Sequence, residues 1–417
     1  MMLKLFTRSV SMLLILFSLL FVSASPGLSQ SPFSSVKIEL TLTREGTGWK
    51  ADAKFHAGGQ VFTNPVRDLK VGDSDISFSA EIGGAEVRFV GKLADNKLGG
   101  RLEALEKGRR IATGTWSLSR AESAAAHDAA GMWRGSFSAQ IIPAQQADPN
   151  FDARVANPAY VRKHPRVLFD EAHNNLHTAS GLYKPFADLI TNDGYTIVPN
   201  KEKFQPGTLA GYDVLVIVNA AGPRGQRANP AFTDEECDTV RDWVRGGGAL
   251  LFIADHAPMG AAAEILARRF GVDMSKGYTD DPSSTDKELG DILFSRDNKR
   301  LVNHPITNGR NSLERVNRVV TFTGQSLKGA KDSVALLILP DTAVDTFPPN
   351  KATTPAAGRT QGLAMRFGKG RVIVLGEAGM LSAQIDNQGR AFGMNYPNAD
   401  NRQLALNIMH WLTRLLK

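Results

Sequence analysis

The sequence predicts an α/β protein with a mostly parallel sheet and helices on both faces, preceded by a small antiparallel all-β, barrel-like domain. Two observations carry this. Residues 35–120 alternate apolar and polar side chains in short runs broken by Gly, Asn and Asp, the period-2 pattern of half-buried strands. From residue 165 onward, wholly apolar runs alternate with amphipathic stretches that end in glycine, the pattern of buried parallel strands joined by helices. Length and composition agree. A chain of 417 residues, 42% hydrophobic and 22% charged, suits two or three globular domains. The single cysteine, Cys237, excludes an intramolecular disulfide and a cysteine-based zinc knuckle.

Residues 1–24 read as a signal peptide. Lys4 and Arg8 form a positive start, residues 10–22 are a largely apolar run, and Val22-Ser23-Ala24 suits cleavage near Ala24. The apolar run is short for a spanning helix of about 20 residues. The expectation is a periplasmic or secreted bacterial protein, with no integral membrane segment after cleavage. Removal of Lys4 and Arg8 takes the formal charge from +7 to +5. The remaining basic residues are scattered rather than striped with aromatics, so no nucleic-acid partner is expected.

The all-β domain is drawn at 35–120. Val36, Ile38, Leu40 and Leu42 alternate with polar neighbours. Further strands are expected from Trp49 to Phe55 and at 66–71, 76–82, 86–93 and 111–118, with turns at Gly46-Thr47-Gly48, Gly72-Asp73, Gly83-Gly84 and Asp95-Asn96. Such spacing predicts a meander or small barrel. It would serve as a spacer or as the docking surface for an envelope protein partner. Residues 121–164 read as a linker, Ala-rich at first and then proline-containing, with one extra strand at 132–142.

The larger domain is drawn at 165–417. Short apolar strands are expected at 166–169, 196–198, 212–218 and 249–254, and later ones at 334–339, 363–367 and 371–375. Helices are expected at 183–193, 233–245, 261–270 and 402–416. Thr233 with Glu236 three residues on is a capping box, which places that helix start sharply.

In open sheets of this kind, ligands sit beyond the carboxyl ends of the strands. Asp170, Glu171, His173, Asn174 and His177 follow the first strand; Asn219 and a loop with Arg224 and Arg227 follow the third; Asp255-His256 follows the fourth; Glu377 follows the last. Core packing has no use for so many polar residues on one edge. The expected ligand-binding residues are therefore Asp170, Glu171, His173, Asn174, His177 and Asn219, with Asp255, His256 and Glu377 as candidate catalytic groups. His173 and His177 are four residues apart, a spacing that on a helix puts both on one face, as in a metal pair. A single divalent metal on His173, His177 and His256 is the cofactor such a set would hold. The run lacks the glutamate of the zinc-protease motif.

Three stretches carry a family resemblance. They are Leu168-Phe169-Asp170-Glu171-Ala172-His173, Gly247-Gly248-Ala249-Leu250-Leu251-Phe252-Ile253-Ala254-Asp255-His256, and Asp400-Asn401 leading into 404–412. They resemble the class I glutamine amidotransferase-like superfamily, and are most similar to its branch of exported, gliding-motility and intraflagellar-transport proteins. The resemblance covers about three fifths of the chain. It implies a flavodoxin-like sandwich, with Asp170, Glu171, His173, Asp255 and His256 lining the site. True amidotransferases carry a cysteine nucleophile at the turn where this chain has Asp255-His256, and a carboxylate cannot replace a thiolate there. Glutaminase activity is therefore not expected. The leading expectation is an exported protein that binds a polar small molecule or glycan, or a cell-envelope component. The alternatives are a metal-assisted hydrolase using His173, His177, Asp255 and His256, and a non-catalytic envelope adaptor.

Overall fold

The computed structural model describes residues 36–57, 60–82, 84–94, 96–121, 129–141, 145–284 and 291–417. The predicted signal peptide and much of the Ala-rich linker lie outside these residues. The chain divides into two compact units, Met1–Ala144 and Gln145–Lys417.

The first unit is a closed antiparallel barrel of eight strands: Val36–Glu45, Gly48–Ala57, Gln60–Val71, Asp75–Ile82, Ala85–Ala94, Lys97–Glu106, Arg109–Arg120 and Gly131–Ile141. The last strand pairs with the first, Val36 opposite Phe137 and Leu42 opposite Gly131, which removes both sheet edges. Val36, Ile38, Leu40 and Leu42 all point inward and are buried, as their alternation requires. Aromatic rings fill the interior. Phe78 stacks on Phe89 at 4.6 Å, and Trp116 meets Phe89 edge-on at 5.8 Å. The Trp116 indole N–H is satisfied by the carbonyls of Val90 and Arg101. The barrel is thus a packed core rather than a container. Two strands differ from expectation. Lys97–Glu106 was not among the expected strands; its Gly99 and Gly100 sit where neighbouring backbone leaves no room for a Cβ. The strand assigned to the linker closes the barrel.

The second unit carries a seven-stranded sheet in the order Thr196–Asn200, Arg166–Asp170, Val214–Val218, Ala249–Ile253, Gly370–Leu375, Gly362–Phe367, Val334–Ala335. The first five pair in parallel and the last two antiparallel. Along each buried strand, alternate residues enter two apolar cores. Val214, Val216 and Val218 pack with Phe186, Leu189 and Leu404. Leu215 and Ile217 pack with Val240, Val244 and Leu266.

The α/β class with a flavodoxin-like doubly wound sheet is overturned as a description of this chain. Among the described residues strands hold 42% and helices 16%, with an eight-stranded closed antiparallel barrel. The physical reason lies after helix Met259–Arg269. Strand–helix alternation stops there, and the chain builds short antiparallel pairs: Asp273–Met274 with Leu327–Lys328, Ile292–Ser295 with Arg318–Thr321, and Val344–Phe347 with Tyr278–Asp280 and Ala352–Pro355. Gly362–Phe367 then turns straight back onto Gly370–Leu375 with no crossover helix. The strand expected at 334–339 is only Val334–Ala335, and the final helix is Asn401–Leu412. Among the described residues no helix is long and apolar enough to cross a membrane.

Candidate functional site

Four strands of the parallel set deliver polar residues at their carboxyl ends, and the structure sorts them into two groups. The first group is closed on itself. Asp170, the last residue of its strand, is fully buried. Both its oxygens lie 2.9 Å from His173 Nδ1, and one also accepts from Asn175 Nδ2. His173 Nε2 lies 2.9 Å from Glu236 Oε1. Glu236 is the capping-box residue of helix Asp234–Gly246; it also accepts from the backbone N–H groups of Thr233 and Phe204. These bonds outweigh its partial burial and hold its carboxyl below the usual range. The His173 ring is flanked by Phe204 and Phe232 at 4.7 and 4.6 Å. Asp170–His173–Glu236 therefore ties a strand end to a helix start, and neither imidazole nitrogen faces outward.

This corrects the metal-pair expectation for His173 and His177. Residues 171–182 form turns and bends, not a helix, so a four-residue spacing does not align them. The local conformation turns on Asn174, held at φ 47°, and Asn174 Nδ2 donates to the Gly222 carbonyl. Glu171 is also committed, accepting from Ala179 N–H and pairing with Lys201. Among the described residues no group of three or more His, Cys, Asp or Glu side chains is arranged to hold a metal ion.

The second group is open. His177 is buried, and its ring meets Tyr183 edge-on at 5.1 Å. Its Nδ1 lies 3.1 Å from Asn219 Nδ2. Asn219 Oδ1 accepts from the Asp255 backbone N–H at 2.8 Å. Burial pushes the His177 pKa down to about 4, against the pull of the nearby Asp255 charge. Asp255 Oδ1 accepts from His256 N–H; its other oxygen has no partner among the described residues. Glu377 is buried and accepts from the backbone N–H groups of Gly379 and Met380 at 2.5 and 2.6 Å. Burial and the Asp255 charge nevertheless push its carboxyl well above the usual range. Tyr183 donates to the Ala378 carbonyl at 2.6 Å. His256 is half-buried and stacked on Tyr278 at 4.2 Å, and its Nδ1 is 2.8 Å from the Ala257 carbonyl.

Of the residues expected from sequence, hydrogen bonds link His177, Asn219 and Asp255, Glu377 feels the Asp255 charge, and His256 follows Asp255 in the chain. Asp170, Glu171 and His173 are structural. Sequence reasoning missed Tyr183, Tyr278 and the bond from Glu236 to His173. The capping box had flagged Glu236, but only for its helix; nothing local marked the two tyrosines. Cys237 lies buried on helix Asp234–Gly246, and burial pushes its thiol up to about 12. His304 caps the short helix Pro305–Asn308.

No family model matches the chain, and no curated protein does. Among solved structures it is similar to the mmIFT52 N-terminal domain, at 16% identity and a TM-score of 0.43, covering 60% of this chain and 97% of that one. A cytoplasmic protein from Salmonella typhimurium matches at 13% identity and a TM-score of 0.36, covering 60% and 98%. A putative GMP synthase protein from Thermoplasma acidophilum matches at 12% and 0.34, covering 61% and 96%. Likenesses this distant carry no argument about function, and the functional reading rests on the site.

Proposed function

We propose that this is an exported protein whose 145–417 unit binds a neutral, hydroxyl-rich ligand, a glycan or another cell-envelope component, at the His177–Asn219–Asp255 edge. One observation carries the reading. In a neighbourhood where Asp170, His173, Glu171 and Glu377 all have their polar atoms engaged, His177 Nε2 and one oxygen of Asp255 have no partner among the described residues. Neither atom is fully enclosed, so both can be reached at the strand edge, where a few convergent polar groups fit a ligand's own donors and acceptors. The Tyr278 ring, 36% exposed beside His256, supplies an apolar face of the sort a sugar ring covers. The positive start and apolar run at the N-terminus support placing this ligand outside the cytoplasm. Cys237, the single cysteine, is buried on helix Asp234–Gly246 rather than placed at a strand end, which fits a reading without a thiol nucleophile.

The test is a glycan array probed with the mature chain. Binding to one glycan class is expected, weakened roughly 10- to 100-fold by Asp255→Ala, as for loss of a hydrogen bond to a charged group. Equal weakening is not expected from Glu171→Ala. An array with no binder, or an Asp255→Ala protein that binds as well as wild type, overturns the proposal.

A further inference from the structure

We propose that Asn219 is a positioning residue that locks the His177 proton on Nε2, so that the site meets its ligand with a neutral N–H donor beside a carboxylate acceptor. The ligand chemistry rests on the function proposed above; the proton placement does not.

The Asn219 backbone is fixed first. It follows strand Val214–Val218 at φ 48°, the left-handed region that asparagine tolerates better than most side chains. Its N–H donates to the Ile253 carbonyl, and its own carbonyl accepts from Leu176 N–H. The residue is thereby pinned between the end of one strand and the segment carrying His177. Its amide then has only one orientation. The Asp255 backbone N–H, 2.8 Å away, needs an acceptor, so the atom it meets is the oxygen. The nitrogen must face His177 Nδ1, 3.1 Å away. An amide nitrogen only donates. His177 Nδ1 must therefore accept, and the ring proton sits on Nε2. A second proton on Nδ1 would set N–H against N–H.

The groups around the ring leave this arrangement intact. Tyr183 has its hydroxyl committed to Ala378. Glu377 has both oxygens on backbone N–H groups. Asp255 is the one charge that favours protonating the ring, and burial opposes it. The outward-facing set is then the His177 Nε2–H donor and the unpartnered Asp255 oxygen. A ligand that satisfies both offers an acceptor and a donor, as a hydroxyl-rich molecule does. A bare cation meets the N–H with nothing to accept it, and a fully ionised phosphate meets the carboxylate with like charge.

The experiment is nitrogen NMR on the mature chain carrying ¹⁵N-labelled histidine, with the His177 signals assigned by their loss in His177→Gln. No ligand is needed. Wild type is expected to show the Nε2–H tautomer alone at neutral pH. In Asn219→Asp the new carboxylate accepts where the amide donated, so the proton should move to Nδ1 and the His177 pKa should rise above the ordinary histidine value of about 6.5. Asn219→Gly keeps the left-handed backbone without steric cost and removes the amide; both tautomers should then coexist, which keeps the test open if Asn219→Asp fails to fold. A wild-type Nδ1–H tautomer, or an Asn219→Gly protein with the wild-type tautomer unchanged, overturns the proposal. If the tautomers behave as expected while the glycan array is blank, the positioning role stands and the ligand reading falls.

Discussion

Replacing His173 by alanine should loosen the second unit while leaving the barrel untouched. The imidazole bridges two buried carboxylates at 2.9 Å each and packs between Phe204 and Phe232. Breaking a buried charged pair by removing one partner costs about 3–5 kcal/mol. Here Asp170 keeps Asn175 Nδ2 and Ala172 N–H, and Glu236 keeps the N–H groups of Thr233 and Phe204, which points to the low end, about 3 kcal/mol. The void between the two rings adds about 1 kcal/mol. A total of about 4 kcal/mol corresponds to roughly a thousandfold faster exchange of the best-protected amides. Hydrogen exchange read by mass spectrometry separates the units, which a single melting curve cannot do for a two-unit chain. Peptides from 166–170 and 214–218 should accelerate, and those from 36–57 should not. His173→Gln, which retains one donor, should lose about half as much. Unchanged exchange at 166–170 would mean that the Asp170–His173–Glu236 bridge contributes little, and that His173 is not the structural tie described above.

Three further outcomes are expected. The His177 contribution to the stability of the second unit should fall as pH drops from about 6.5 toward 4: the folded His177 pKa of about 4 lies below its unfolded value of about 6.5, so the unfolded chain takes up the proton first. That gap of about 2.5 units is worth on the order of 3 kcal/mol; His304, also pushed down to about 4 by burial, acts in the same direction and Glu377, pushed up, in the opposite one, so the His177 share is read as the difference in urea midpoint between wild type and His177→Gln, and a difference that stays flat across this window would contradict it. Gly114→Ala should destabilise the barrel by roughly 1–3 kcal/mol or more, because its Cβ would run into the Ser138 carbonyl oxygen on the neighbouring strand; an unchanged barrel exchange rate would show that the strands can separate freely there. Cys237 should resist a thiol reagent in the native protein and react only on unfolding, since it is fully buried with its thiol pushed up to about 12; prompt native labelling would refute its placement.

Much of the local structure was legible in the chain. Period-2 alternation in 36–42 announced an inward-facing barrel strand, and the Thr233/Glu236 pair announced the start of helix Asp234–Gly246 to the residue. The apolar runs YDVLVIV and ALLFIA announced fully buried strands. These are signals between near neighbours. The class of the whole chain was not legible, because it depends on residues 271–355, where strands of two to four residues are too short to show a period. Closure of the barrel was equally hidden: Gly131–Ile141 reads as one more strand, and only its pairing with Val36–Glu45, about a hundred residues away, makes it the last stave.

The same division runs through the site. The sequence by itself placed Asp170, His173, His177, Asn219, Asp255 and Glu377 at strand ends, because strand ends follow from local patterning. It could not say which of them would be consumed by the fold. That was decided by tertiary contacts: Glu236, 63 positions away, closes His173, while Asn219, 42 positions away, turns His177 outward with its proton on Nε2. A buried histidine becomes a brace or a reactive group according to the partner at each ring nitrogen, and those partners come from elements that meet only when the sheet has assembled.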